Sequence, residues 1–268
     1  MLDKKLIVIR GGGDIASGIA SKLYNAGFKV LIAEIKKPTV IRRKVSFADA
    51  VYEKEVFIEG ISGKLANDIS DALKMIEDKI IPIIIDPCMT YFRQDRPYIL
   101  VDSIIAKKNI GTSLEMATIV IGVGPGFTAG VDVNAVVESK RGHYLGKVLL
   151  QGTAEPNTGI PGNIEGFTEE RVIWAQNEGE IKIIKDIGSI VKSGDTIALI
   201  DKTEVKSKIN GIVRGMIRDG YYVNRGMKIA DIDPRKKTSY CYSISDKARA
   251  IGGGVLEAIL YFINKNNL

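Results

Sequence analysis

Leu6-Ile7-Val8-Ile9-Arg10-Gly11-Gly12-Gly13-Asp14-Ile15-Ala16-Ser17-Gly18 joins a short apolar run to three glycines and then to a helical pattern. Four consecutive aliphatic residues suit a strand buried on both faces of a parallel sheet. Beyond the glycines, Ile15, Ile19, Ala20 and Leu23 recur at helical spacing, and Asn25-Ala26-Gly27 supplies a C-terminal stop. A second apolar run from Val30 to Ala33 ends at Glu34. Residues 6–34 therefore predict a strand, a glycine-rich turn, a helix and a second strand.

Within that unit, Gly11-x-Gly13-x-x-Ala16 fits the dinucleotide fingerprint, with a small third residue where helix and strand approach closely. Such a turn exposes backbone N–H groups to a phosphate at a helix N-terminus. Gly11, Gly12, Gly13, Asp14, Ala16 and Ser17 are the candidate phosphate turn. Glu34, 21 residues after Gly13, is placed to accept from a ribose hydroxyl or another polar edge. Asp14 departs from a neutral loop: it either caps the helix or repels an anion.

Further strands are expected over Ile80–Ile85, Tyr98–Asp102 and Ala117–Gly122, with a helix over about Lys64–Asp78. Asp86 and Asp102 then lie at the carboxyl ends of strands, where open α/β sheets place ligands, though turn chemistry explains them equally. Gly122-Val123-Gly124-Pro125-Gly126 forms a glycine cluster whose Gly124, Pro125 and Gly126 are candidate anion donors or a plain turn. The cluster lacks the Lys-Ser/Thr ending of a nucleotide-hydrolysing loop. His143 is the only histidine, so no multi-histidine metal site is expected. It is either a ligand contact or a packed or surface residue.

From about residue 166 the pattern changes to short strands separated by glycines. Gly188-x-x-Val191-x-x-Gly194-x-x-Ile197-Ala198-x-Ile200-Asp201 recurs 32 residues later as Gly220-x-x-Val223-x-x-Gly226-x-x-Ile229-Ala230-x-Ile232-Asp233, identical at 7 of 14 positions. The repeat resembles a biotinyl/lipoyl domain, a flattened β-barrel of two interlocked halves. Its connection, Asp201 to Gly211, lacks the modified-lysine signatures, so no biotin or lipoate attachment is expected at Lys202. A final helix opens at Ser245-Asp246 and keeps its spacing to Phe262 through Gly252-Gly253-Gly254, which cost about 1 kcal/mol each relative to Ala. The expected architecture is α/β: a Rossmann-like parallel-sheet, ligand-binding domain over 1–165, a biotinyl/lipoyl-like β module over 166–235, and a C-terminal helix over 236–268 that packs back on the first domain.

Across 268 residues, 45% are apolar and the formal charge is +6. The basic excess is spread evenly, with 21 Lys/Arg against 17 Asp/Glu in residues 1–150 and 17 against 15 thereafter. Together with only 7% aromatic residues, this argues against nucleic-acid binding. Cys88 and Cys241 are too few for a disulfide framework. No run approaches the ~20 apolar residues of a membrane span. No membrane association and a cytoplasmic location are expected.

Blocks along nearly the whole chain resemble the accessory proteins of selenium-dependent molybdenum hydroxylases, which are distantly similar to xanthine dehydrogenase accessory factors. They are Arg10–Gly18, Arg42-Arg43-x-Val45-Ser46-Phe47, Val101-Asp102, Ala106–Thr112, Gly122–Gly130, Arg141–Gly146, Asn157–Gly162, Asp231–Arg235 and Ser245–Glu257. The resemblance implies maturation of a molybdenum hydroxylase, with that enzyme as partner. It implies a molybdopterin-type cofactor or nucleotide, a phosphate-bearing small molecule, held by the glycine turn and Glu34. Arg42 and Arg43 are candidate phosphate partners or surface salt bridges. Catalytic residues are not identifiable, whether any reaction is catalysed stays open, and a homo-oligomer is allowed. The alternatives are an NAD(P)-dependent oxidoreductase and a non-enzymatic scaffold docking the hydroxylase.

Overall fold

The computed structural model describes residues 6–265, which divide into two compact units. Unit 1 takes the chain up to Pro38, Ser46–Asn157 and everything from Ile244; unit 2 takes Thr39–Val45 and Thr158–Ser243.

In unit 1, β1 (Leu6–Arg10), α1 (Asp14–Asn25) and β2 (Lys29–Glu34) stand where the apolar runs and helical spacing put them. They are followed by α2 (Ala50–Glu53), β3 (Glu55–Ile58), β4 (Ile61–Leu65), α3 (Ile69–Glu77), β5 (Ile81–Ile85), β6 (Ile99–Asp102) and β7 (Ile119–Val123). Short strands β8 (Thr128–Ala129), β9 (Ala135–Val137), β10 (Val148–Leu149) and β11 (Gly152–Thr153) come next, and α4 (Asp246–Lys265) closes the unit. Nine strands form one sheet in the order β10-β9-β7-β6-β1-β2-β5-β4-β3. Its inner pairs are parallel, and the edge strands β3 and β10 are antiparallel to their neighbours. β8 and β11 pair separately.

Side-chain alternation along β1 divides the core. Ile7 and Ile9 face α1 and α4, packing with Ile19, Leu23, Ile251, Val255 and Ile259. Leu6 and Val8 face the other way, with Leu31, Leu100, Ala72 and Phe127. Each such fully buried aliphatic side chain contributes about 1.5–3 kcal/mol. The α1–α4 contact is close because Gly18 lies against Ala248; a Cβ on Gly18 would stand 2.6 Å from the Ala248 Cβ.

The helix expected over Lys64–Asp78 is shorter. Ile61–Leu65 forms β4 beside β5, where Gly63 leaves room for the Phe47 ring. The helix starts only after Asp68, whose carboxylate accepts the Asp71 N–H at 2.8 Å.

Unit 2 contains β12 (Val172–Trp174), β13 (Gly179–Ile183), β14 (Ile190–Val191), β15 (Thr196–Ile200), β16 (Thr203–Lys206), β17 (Gly211–Met216), β18 (Tyr222–Val223) and β19 (Lys228–Asp233). They form two four-stranded sheets, β12-β19-β17-β14 and β16-β15-β13-β18, with antiparallel pairing throughout. The internal repeat is visible in this distribution. The first copy places its short strand β14 in one sheet and its long strand β15 in the other, and the second copy places β18 and β19 the opposite way round.

The expected Rossmann-like parallel sheet followed by a biotinyl/lipoyl-like barrel is thus corrected to a large mixed sheet accompanied by smaller antiparallel sheets. In unit 1 the sheet closes on antiparallel edges, and the β6–β7 return carries only a 3-10 turn in place of a crossover helix. That return holds Ile105 and Lys107 at positive φ, which a helix cannot accommodate. In unit 2 the strands are divided between two sheets.

Candidate functional site

Parallel register brings the carboxyl ends of five strands to one edge of unit 1. Arg10 pairs with Asp102 across β1 and β6, Asp102 with Gly122 of β7, and Arg10 with Ala33 of β2. The Asp86 N–H then donates to the Glu34 carbonyl at 3.0 Å, adding the end of β5.

The glycine turn is packed by protein on one side. Gly11 has φ +93° and donates to the Ala33 carbonyl; a Cβ there would meet Ser103 and Ile104 backbone at 3.2 Å. The Gly12 carbonyl accepts from the Ala48 N–H at 2.9 Å and from Ser17 Oγ at 3.2 Å. Ser17 Oγ in turn accepts the Phe47 N–H at 2.8 Å, so Ser17 is fully buried as a brace. Ala16 is also buried. Gly13 is the N-cap of α1 and supplies no side-chain cap, and Asp14 opens the helix half-buried.

Glu34 turns back onto this loop. Its Oε2 accepts the Gly12 N–H and its Oε1 the Ile35 N–H, both at 2.7 Å. Burial pushes the Glu34 carboxyl above the usual carboxylate range, and the Ile35 and Gly12 N–H groups offset part of that rise. One amide of the turn is therefore already satisfied by an acid.

Arg10 is the centre of a buried polar cluster beside the turn. Its Nη1 donates to Asp102 Oδ2 at 3.2 Å and to Thr112 Oγ1 at 2.9 Å; its Nη2 donates to the carbonyls of Pro87 and Ile110 at 3.2 and 3.3 Å. Thr112 Oγ1 donates to Asp102 Oδ2 at 2.6 Å. Arg10 Nε and Ser103 Oγ are buried without a hydrogen-bond partner among the described residues. Arg10 and Thr112 stand in the quoted sequence blocks but not among the candidate ligand residues, although a charge ending an apolar run just before a glycine turn is a readable signal.

Asp86 is buried and accepts from the Thr90 N–H and hydroxyl and the Tyr91 N–H, which fixes the turn after β5. Gly124 and Gly126 have φ of +81° and +108°, next to Pro125. A Cβ on Gly126 would stand 2.6 Å from the Lys108 backbone, so this loop is also tightly packed. His143 is exposed between β9 and β10, in edge contact with Tyr144. Arg42 and Arg43 belong to unit 2. Arg42 donates to the Tyr240 and Ser243 carbonyls, and Arg43 donates to the Met216 carbonyl and pairs with Asp186 at 2.6 Å. Each therefore holds local backbone. Cys241 is buried, and burial pushes its thiol up, which keeps it protonated. Among the described residues no group of three or more His, Cys, Asp or Glu could hold a metal ion, and no helix is long and apolar enough to cross a membrane.

No protein-family model matches the chain. The chain is 49% identical over 261 residues to a curated protein of Escherichia coli (strain K12) described as uncharacterized protein YqeB, covering 97% of this chain and 48% of that protein. It thus spans about half the length of the curated relative it matches. Among solved structures it is similar to a succinylglutamate desuccinylase/aspartoacylase from Rhodobacter sphaeroides (13% identity, 85% of this chain and 84% of that chain, TM-score 0.29). It is also similar to a succinylglutamate desuccinylase from Silicibacter sp. TM1040 (12%, 85% and 84%, TM-score 0.26). A third is the product-bound ectoine utilization protein EutE (DoeB) from Ruegeria pomeroyi (9%, 84% and 56%, TM-score 0.24). TM-scores this low carry no argument about what the chain does. The curated relative is described only as uncharacterized and no family model matches, so the identification as an accessory protein of selenium-dependent molybdenum hydroxylases is corrected: no finding links the chain to such an enzyme. The maturation role, its hydroxylase-scaffold alternative and the NAD(P)-dependent oxidoreductase alternative are corrected with it, none of them being supported by a match.

Proposed function

We propose that unit 1 binds a phosphate-bearing small molecule at the carboxyl-end edge of its parallel strands, against the start of α1. The observation that carries this reading is the beginning of that helix: twelve residues long, entered directly from β1 through glycines, with Gly13 at its N-cap and so no capping side chain at that position. Backbone N–H groups and the positive end of a helix favour a phosphate there. Open sheets with parallel strands also place ligands outside their carboxyl ends. Glu34 limits the mode of binding. Because it holds the Gly12 N–H, a phosphate lies over the α1 amides, and the carboxylate opposes it until protonated or turned to a hydroxyl of the ligand. The free Cys88, exposed, and Cys241, buried, support a reducing, cytoplasmic setting.

Isothermal titration with pyrophosphate and adenosine diphosphate tests the proposal. Saturable binding that tightens in Glu34→Gln at neutral pH is the expected result. Absence of saturable binding by both anions, in the wild type and in Glu34→Gln, overturns it.

A further inference from the structure

Unit 2 contains a cavity of about 410 Å³ that shares no residue with the strand-end edge of unit 1. That size is within the range of sites for small organic ligands. Its apolar lining comes from Phe167, Ile209 and Pro234, and its charged groups are Lys208, Lys236 and a single acid, Glu165. Both lysines are exposed, and neither has a carboxylate at ion-pair distance among the described residues. The charge of Lys208 is felt at longer range by Glu170.

The wall that carries Lys208 is held in place by hydrogen bonds within unit 2. Ser193 Oγ donates to the Lys208 carbonyl at 3.0 Å, the Ser193 N–H to Asn210 Oδ1 at 2.9 Å, and Ser207 Oγ to the Ile209 carbonyl at 2.7 Å. A fixed wall lowers the ordering cost of binding. Glu165 and Lys236 have φ of +49° and +55°, a left-handed conformation that costs a side-chain-bearing residue free energy. The internal repeat supplies a control within the same chain. Shifted by 32 residues, Lys236 corresponds to Glu204 and Lys208 to Tyr240, so the paired lysines belong to one end of unit 2 and are not demanded by the repeat itself.

We propose that this cavity binds a small carboxylic acid with an apolar body. The carboxylate pairs with Lys208 and Lys236, and the body lies on Phe167, Ile209 and Pro234. The proposal is independent of phosphate binding in unit 1. Titrating the ¹⁵N-labelled full chain with 4-phenylbutyrate, followed by amide chemical shifts, tests it, with neutral 4-phenylbutyramide and the double variant Lys208→Gln/Lys236→Gln as controls. The expected result is saturable shifts at Phe167, Ser193, Ile209 and Asn210, about tenfold weaker in the double variant and for the neutral amide, as loss of two exposed charge pairs predicts. Because both lysines are exposed, the double variant should keep its remaining spectrum, which confirms its fold. Shifts scattered away from these residues, absence of saturation, or equal affinity of the folded double variant and of the neutral amide would each overturn the proposal.

Discussion

Gly252-Gly253-Gly254 lie within the continuous last helix, α4, and the environments of Gly253 and Gly254 predict opposite responses to the same change. A Cβ on Gly253 meets nothing within 4 Å. Gly253→Ala therefore gains the helix propensity of alanine, about 0.8–1.0 kcal/mol. A Cβ on Gly254 would overlap the Gly146 carbonyl oxygen and stand 2.9 Å from Val137 Cγ1. Here the obstacle is backbone, with no flexible side-chain tip to move aside. Overpacking costs about 1–3 kcal/mol and more against a rigid neighbour, so after the same propensity gain Gly254→Ala loses about 2 kcal/mol. The two alanine variants should differ by about 3 kcal/mol. Urea unfolding followed by far-ultraviolet circular dichroism reads this well, because every α-helix of the described residues lies in unit 1. The only tryptophan, Trp174, lies in unit 2, and its fluorescence follows that unit separately. Equal midpoints for the two variants, or a stabilised Gly254→Ala, would refute close packing as the reason for the glycines.

Two further perturbations address the strand-end edge. Arg10→Met leaves buried Asp102, whose side chain is 2% exposed, without its cation and should cost about 3 kcal/mol of unit 1 stability in the same circular dichroism assay. Arg10→Met/Asp102→Leu should recover most of that loss, and a single variant as stable as wild type contradicts the clamp. Glu34 has a folded-state pKa raised by burial above the ordinary value of 4.5. Its contribution to stability is therefore present below pH 4.5 and lost as pH rises through the higher folded value. Glu34→Gln should gain on the wild type as pH climbs from 4 to 8 in parallel urea titrations; a difference that does not change with pH would show that burial does not govern this carboxyl.

Much of the central sheet was legible because its signals are local. Four aliphatic residues before three glycines could only be buried on both faces, and β1 is buried at every residue. Helical spacing located α1 and α4. The Lys64–Asp78 segment misled because β4 and α3 lie within a few residues of each other, and the boundary depends on Asp68 capping and on Phe47 filling the space beside Gly63. The quoted sequence blocks, read as a family signature, point to an accessory role that no match supports, since matching blocks do not by themselves state chemistry.

Sequence alone located five of the nine strands of the first sheet (β1, β2, β5, β6 and β7), the 32-residue repeat, and the glycine entry into α1, all consequences of periodicity and backbone freedom within a few residues. Tertiary structure alone decided that Arg10 meets Thr112 from 102 positions away, that Glu34 folds back on Gly12, and that Arg42 and Arg43 hold backbone within unit 2. Those pairings arise from strand order and register, and no local pattern of side chains specifies which distant segment will supply the partner of a buried charge.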